Sequence, residues 1–269
     1  MRDNLDDLIE RAIAGDREAL QEVILEVKDL VFNLSQKMLL FTEDAEDATQ
    51  DILIRVITRL STFKGESEFT TWVYRVATNF LLTAKGKKSS HFAMDFSAYE
   101  QLIDEGHSDK VNIATNEGEL KLLEEEVKVS CTHGLLLCLN ARSRMVFILG
   151  DILELTSKEG AAVMEMTAEN FRQLLARSRA KIRSFLQHKC GLVDPQNPCR
   201  CRKKVDHLAD KGLIMPGNPR FARQTKHSLE LIRQIDELER AASMYRTTPM
   251  LEAPESVMDN LKALINQVN

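Results

Sequence analysis

Aromatic side chains are scarce in this chain: one tryptophan and three tyrosines accompany eleven phenylalanines in 269 residues, 6% in all. Its cores must therefore be largely aliphatic. Long apolar runs are missing too, and the longest uninterrupted one, Gly134 to Leu139, is far below the ~20 residues that a membrane-spanning helix requires. No membrane partner is expected. The start, Met1-Arg2-Asp3-Asn4, lacks the charged and then apolar sequence of a secretory signal, so the expected location is the cytoplasm. With only eleven glycines there is no phosphate-cradling Gly loop, and neither H-E-x-x-H nor a nucleophile elbow occurs. An enzyme is not the expected reading.

What is present is ordinary soluble-protein material, 43% hydrophobic with a net charge of −5, unevenly spread along the chain. Acidic residues far outnumber Lys110 and Lys121 between Asp95 and Glu126, whereas Arg172, Arg177, Arg179, Lys181, Arg183 and Lys189 follow one another with no acid among them. A patch, not the whole chain, is suited to meet DNA.

Helical periodicity dominates, and the expected fold class is all-α. Helices are predicted near 5–13, 17–40, 43–61 and 69–83, with Gly15-Asp16 breaking the first pattern and capping the next. The stretch from Asp44 to Asn79 organises this first module. Ala48, Ile52, Val56 and Leu60 form a buried stripe there, with Asp44, Asp47, Asp51 and Arg55 on the other side. Further on, Phe69, Trp72, Val73, Val76, Ala77 and Phe80 follow helical spacing and leave Tyr74, Arg75, Thr78 and Asn79 outside the stripe. Trp72 and Phe80 belong to the core, while Phe63 and Tyr74 stay open between packing and stacking.

After the breaker-rich segment Lys85 to Ser90 periodicity weakens, and 85–133 reads as an acidic linker, helical only from about Glu117 to Val129. A second module runs from 134 to 187. Arg142 to Glu154 is one helix; Thr156 caps the next, with Glu159 at the capping-box position; and after a tight turn at Met164-Glu165-Met166, Thr167 caps a third reaching Leu186. Two helices with so short a turn, the second rich in Arg and Lys, describe a helix-turn-helix. Arg172, Gln173, Ala176 and Arg177 lie near the front of its last helix, where base edges are reached, and Arg179, Lys181 and Arg183 lie further back, suited to phosphates.

Three of five cysteines fall in a turn of distinct composition spanning 188–207. Cys190, Cys199 and Cys201 are candidate zinc ligands, with His188 or His207 completing the set. A disulfide switch and plain reduced thiols in a folded turn stay open beside that reading. Cys131 and Cys138 read as small buried hydrophobes. The remainder, 208–269, carries two predicted helices, Phe221 to Tyr245 and Glu255 to Val268, whose amphipathic faces need a partner surface.

Asp44-Ala45-Glu46-Asp47-Ala48-Thr49-Gln50-Asp51 followed by Phe69-Thr70-Thr71-Trp72-Val73-Tyr74-Arg75-Val76-Ala77 resembles region 2 of a bacterial RNA polymerase sigma factor of the extracytoplasmic-function (ECF) kind, in the sigma-70 family. The spacing from Leu155 through Ile182 resembles sigma region 4. The resemblance implies an alternative sigma factor whose partners are core RNA polymerase, through its largest subunits, and promoter DNA. It implies that Asp44, Asp47, Gln50, Asp51 and Arg55 hold polymerase; that Phe63, Lys64, Tyr74, Arg75, Thr78 and Asn79 capture single-stranded −10 DNA; and that Thr167, Asn170, Arg172, Gln173, Ala176, Arg177, Arg179 and Lys181 face the double-stranded −35 element. It further implies that the acidic linker threads the polymerase cleft toward the RNA exit path, where a solvated tether is the plain alternative.

Glu165, where Gly is usual, and Leu174, where Arg is frequent, depart from the family pattern. The tail resembles extensions that regulate in cis, in place of or beside an anti-sigma factor. No cofactor is required, zinc at the cysteines being the one candidate. The rival function is a helix-turn-helix repressor with a metal- or redox-sensing tail, which needs the basic helix and the cysteines but not the acidic one.

Overall fold

The computed structural model describes residues 2–39, 41–83, 94–217 and 251–265, and among them it is all-helical apart from one isolated bridge between Cys190 and Cys199. By contacts the chain divides into two units: Met1–Phe92 with Thr156–Phe171 and Met250–Asn269, and Ala93–Leu155 with Arg172–Pro249. The predicted helix at Phe221 to Tyr245 lies outside the described residues.

The first unit is built on Arg2–Ile13 (α1), Arg17–Met38 (α2), Thr42–Arg59 (α3) and Phe69–Thr83 (α4), with a single 3-10 turn at Leu60–Thr62. Asp16 begins α2 as expected, accepting from the Glu18 and Ala19 amides at 3.0 and 3.1 Å after Gly15 takes a positive φ of 99°. Val23, Ile24, Val27, Val31 and Leu34 of α2 meet Ala48, Ile52, Leu53 and Val56 of α3 in a buried aliphatic core. Three aromatics gather at one end, where the rings of Phe63, Phe69 and Trp72 stand 5.3–5.8 Å apart. Lys37, in the last turn of α2, is a liability: burial pushes its amine down to about 8.

Because the unfolded chain keeps the Lys37 proton up to pH ~10.4 and the folded one releases it above about 8, this group makes stability rise with pH between those values. Relative to Lys37→Met, the parent should gain melting temperature from pH 8 to pH 10; parallel melting curves would contradict this.

Two later segments complete this unit. Ser157–Val163 (α8) packs against α4, and Glu255–Ile265, the last described helix, packs against α2 and α3. That last helix, numbered α11 below, buries Val257, Met258, Leu261 and Ile265. The partner surface that its amphipathic pattern demanded is therefore this module. Its lead-in is clasped by α2. Asn33, 5% exposed, donates from Nδ2 to the Leu251 carbonyl at 2.8 Å and accepts at Oδ1 from the Leu251 amide at 3.0 Å. Asp29 accepts from the Ala253 amide at 2.7 Å, and Phe32, Ala45 and Ala253 close an apolar cluster beside it.

The second unit corrects the linker. Residues 94–133 are folded, with Phe96–Asp104 (α5) and Glu117–Leu137 (α6) as helices and not a tether. Asn116 caps α6 by accepting from the Glu119 amide, and Leu120, Leu123 and Val127 pack on Val205, Leu208 and Ile214. Charge does the rest: Asp206 accepts from the Asn112 amide and side chain at 2.8 and 2.9 Å, and Arg202 pairs with Glu117. Gly134 lets α5 approach α6 closely, since a Cβ there would stand 2.6 Å from the Tyr99 hydroxyl, which donates to the Cys131 carbonyl.

Beyond α6 come Ala141–Phe147 (α7), a π-helical turn at Ile148–Ile152, then Ala168–Lys189 (α9), a 3-10 turn at Cys201–Lys204 and Val205–Asp210 (α10). The Arg144 guanidinium donates to the carbonyls of Leu136, Leu137 and Leu139 and so closes the C-terminal end of α6.

Candidate partner and nucleic-acid interfaces

On α3 the outward acidic face is narrower than the sequence implied. Asp47, Asp51 and Arg55 are exposed and Gln50 is half-buried, but Asp44 is only 7% exposed. It sits in the first turn beside Ala45, whose packing against Phe32 and Ala253 draws that turn inward, and the helix N-terminus favours its charge. The guanidinium of Arg55 lies 5.0 Å from the Phe80 ring centroid, so Phe80 is half-buried under a cation and not in the core as expected.

On α4 and the loop before it the outward set splits. Lys64 and Asn79 are exposed, and Arg75 and Tyr74 are half-buried; burial pushes the Tyr74 phenol up to about 12. Phe63 packs against Phe69 and Trp72, which resolves its open reading toward packing. Thr78 corrects its own: it is fully buried and not outward. Its Oγ1 and the Arg75 Nε are buried without hydrogen-bond partners, an arrangement that costs roughly 1–3 kcal/mol for each group. The helix α4 thus carries unspent donor capacity at two of the positions singled out for DNA.

The helix-turn-helix forms as predicted. Thr156 and Glu159 make the full capping box of α8, with Thr156 amide to Glu159 Oε2 at 2.8 Å and Glu159 amide to Thr156 Oγ1 at 3.3 Å. In the turn Glu165 adopts φ 50°, which is the conformation that makes Gly usual there. Thr167 spends its hydroxyl on capping α9, accepting from the Asn170 amide at 3.2 Å.

Along α9, Asn170, Arg172, Gln173, Ala176, Arg177 and Lys181 are exposed, whereas Phe171, Leu175, Ser178 and Ile182 are buried. Arg179 is corrected. Its Nε and Nη2 reach Asp151 at 3.0 and 2.5 Å, and this nearly buried carboxylate holds the guanidinium in a fork that leaves it anchoring the helix, not gripping phosphate. The hydrogen bond that it donates to Asp151, ahead of the attraction between the charges, holds the guanidinium above its ordinary value. Asp151 had no signal in the sequence, because it is the π turn after α7 that aims it at α9.

Around the cysteine turn the expected ligand set is not assembled. Among the described residues no group of three or more His, Cys, Asp or Glu side chains stands in a metal-holding arrangement. The His188 Nδ1 lies 2.6 Å from the Ser184 carbonyl, inside its own helix. The charges that act on His207 are those of Lys204, Lys211, Glu105 and Asp210, and burial, ahead of these, keeps its ring below the ordinary range. The neighbour that sequence reading missed is Cys131, three turns along α6 from Leu120 and on the same face. Burial pushes its thiol up to about 12 and raises those of Cys199 and Cys201 as well.

No described helix is long and apolar enough to cross a membrane. The family model of Sigma-70 region 2 matches residues 23–91, and that of Sigma-70, region 4 matches residues 131–182. The ECF RNA polymerase sigma factor SigW of Bacillus subtilis (strain 168) is 28% identical over 106 residues, 36% of this chain and 57% of SigW. The chain thus spans little more than half the length of that relative. Two others are matched almost end to end: the RNA polymerase sigma-H factor of Pseudomonas aeruginosa and the ECF RNA polymerase sigma-E factor of Escherichia coli (strain K12), each 26% identical over 183 residues, 67% of this chain and 92% and 93% of theirs. Matches to both sigma-70 regions occur in order on one helical chain, the first holding α3 and α4 and the second the capped turn and basic α9, and the chain is similar to ECF sigma factors of the sigma-70 family.

Proposed function

We propose that this protein is an alternative sigma factor that binds core RNA polymerase, recognises and melts a promoter, and is regulated in cis by its C-terminal extension. The observation that carries this reading is the pairing of two surfaces on one chain: exposed Asp47 and Asp51 on α3, and exposed Arg172, Gln173, Ala176, Arg177 and Lys181 on α9. A repressor needs only the second. Acidic charge on α3 suits a basic partner surface and speeds encounter with it. The Arg75 Nε, unpartnered on a half-buried side chain, suits a nucleotide ligand on α4, because a partner there would satisfy it.

Regulation in cis rests on α11 and its lead-in, which occupy α2 and the start of α3 next to the acidic face and leave Asp47 and Asp51 open. A separate anti-sigma factor is the alternative regulator, and the cytoplasm is the place of action that these partners imply. Reconstituted runoff transcription with core polymerase over a promoter library tests the whole reading. Reversing charge at Asp47 and Asp51 together (Asp47→Lys, Asp51→Lys) should weaken polymerase binding at least about tenfold, ~1.4 kcal/mol, while α9 still binds duplex DNA. Undiminished polymerase affinity in that variant would remove the assignment, and failure of the parent to bind polymerase at all would favour the repressor.

A further inference from the structure

Four of the five cysteines, placed far apart in sequence, meet where α6, the end of α9 and the following turn converge. Cys131 ends the apolar stripe Leu120, Leu123, Val127 of α6, and Cys201, the first residue of the 3-10 turn that packs on α6, lies against that same cluster. Cys190 and Cys199 are paired by their backbones in the isolated bridge. Each of the four thiols lies within electrostatic reach of the other three. Cys138, two turns further along α6, does not belong to this group.

The turn is braced in a way that serves this convergence and nothing already assigned. The Arg200 guanidinium donates to the carbonyls of Pro195, Asn197 and Cys199, and Asn197 donates to those of Gln187 and Cys190. Gly191 is required at the crossing, since a Cβ there would collide with the Cys199 carbonyl and with Arg200. Lys204 is 2% exposed, its ammonium donates to the Glu105 carbonyl, and Cys199 and Cys131 are among the groups acting on it. Lys128 acts likewise on Cys201. Binding balances as four RSH and M2+ giving M(SR)4 with charge −2 and releasing four protons.

We propose that Cys131, Cys190, Cys199 and Cys201 form a four-thiolate site for a thiophilic divalent cation of the Zn2+ class, which ties the turn after α9 to α6. As the side chains stand no three of them are set as ligands, so the ion closes the site by drawing in sulfurs that the backbone has already gathered. The histidines take no part. This inference is independent of the sigma-factor reading, and its failure leaves that reading untouched.

The test uses the full chain purified without chelator, with bound metal quantified and Co2+ then substituted as a spectroscopic probe. About one ion per chain is expected, with the intense visible bands of tetrahedral four-thiolate cobalt. Metal content should fall severalfold in Cys131→Ser and in Cys201→Ser, and hold in Cys138→Ser, His188→Ala and His207→Ala. Because a cysteine variant can misfold, the cobalt spectrum of the parent counts the thiolates on its own. Loss of metal in His188→Ala or His207→Ala, or its retention in Cys131→Ser, overturns the ligand set. A metal-free chain overturns the site, whether its thiols all react with an alkylating agent or Cys190 and Cys199 are found joined as a disulfide.

Discussion

Asn33→Ala should loosen the C-terminal helix α11 from α2 and α3 and raise the apparent affinity for core polymerase. The side-chain amide of Asn33 pairs with both backbone groups of Leu251, at 2.8 and 3.0 Å, much as a neighbouring strand would. Each such bond contributes about 0.5–1.5 kcal/mol, and leaving a buried partner unpaired costs more than the bond itself. The docked state should therefore lose roughly 1–3 kcal/mol, which multiplies the undocked population about 5- to 150-fold. If the docked tail opposes polymerase, affinity rises by up to that factor as long as the docked state predominates in the parent.

Two readouts separate the steps. Hydrogen exchange across Glu255–Ile265 should speed up in Asn33→Ala, and polymerase titration should then show the gain. Asn33→Asp, which keeps an acceptor for the Leu251 amide but loses the donor to its carbonyl, should fall between. Unchanged exchange in Asn33→Ala would mean that apolar burial of Val257, Met258, Leu261 and Ile265 holds α11 alone. Faster exchange with no gain in affinity would remove regulation in cis and leave the sigma-factor assignment standing.

What could be read from sequence was what depends on neighbours a few residues away. The helices α1 to α4 follow from apolar spacing, and the capping box at Thr156 and Glu159 from residue identity at a fixed offset. The acidic stretch after Asp95 was illegible for the opposite reason. Its order depends on Arg202, Lys203 and Asp206, about ninety residues on, which neutralise Glu117 and Asp109 and cap the turn at Asn112. Read alone, that composition resembles a solvated tether.

The site residues divide along the same line. Asp47, Asp51, Arg172, Gln173 and Arg177 were correctly placed outside because their own helix decides it. Asp44, Thr78 and Arg179 were misplaced because a second segment decides it: the tail cluster beside Ala45, the elements packed on α4, and the π turn that brings Asp151 to α9.

The largest structural effect should come from Gly160→Val in α8. Gly160 is buried, and a Cβ there would stand 2.5 Å from Cε2 and 3.0 Å from Cε1 of Phe171, a ring with no exposed surface. Such a ring has no solvent side to retreat into, so α8 and the start of α9 must move apart. Overpacking of this kind costs typically 1–3 kcal/mol, and a branched side chain against a fixed ring belongs at the upper end. Alanine separates the cause from helix propensity, which favours it over glycine by ~1 kcal/mol. In the parent Gly160→Ala should still destabilise, whereas in a Phe171→Leu background, where the ring edge is gone, the same change should become neutral or stabilising.

That reversal of sign in thermal unfolding is the signature of the contact; destabilisation of equal size in both backgrounds would assign the cost elsewhere. The effect on duplex binding should exceed the effect on stability. Thr167 and Asn170 stand in the first turn of α9, where a small tilt displaces every side chain that reaches for base edges. A Gly160→Val protein that melts lower but binds a −35 duplex as the parent does, at a temperature where it is folded, would show that the α8 contact supports the module without aiming the helix.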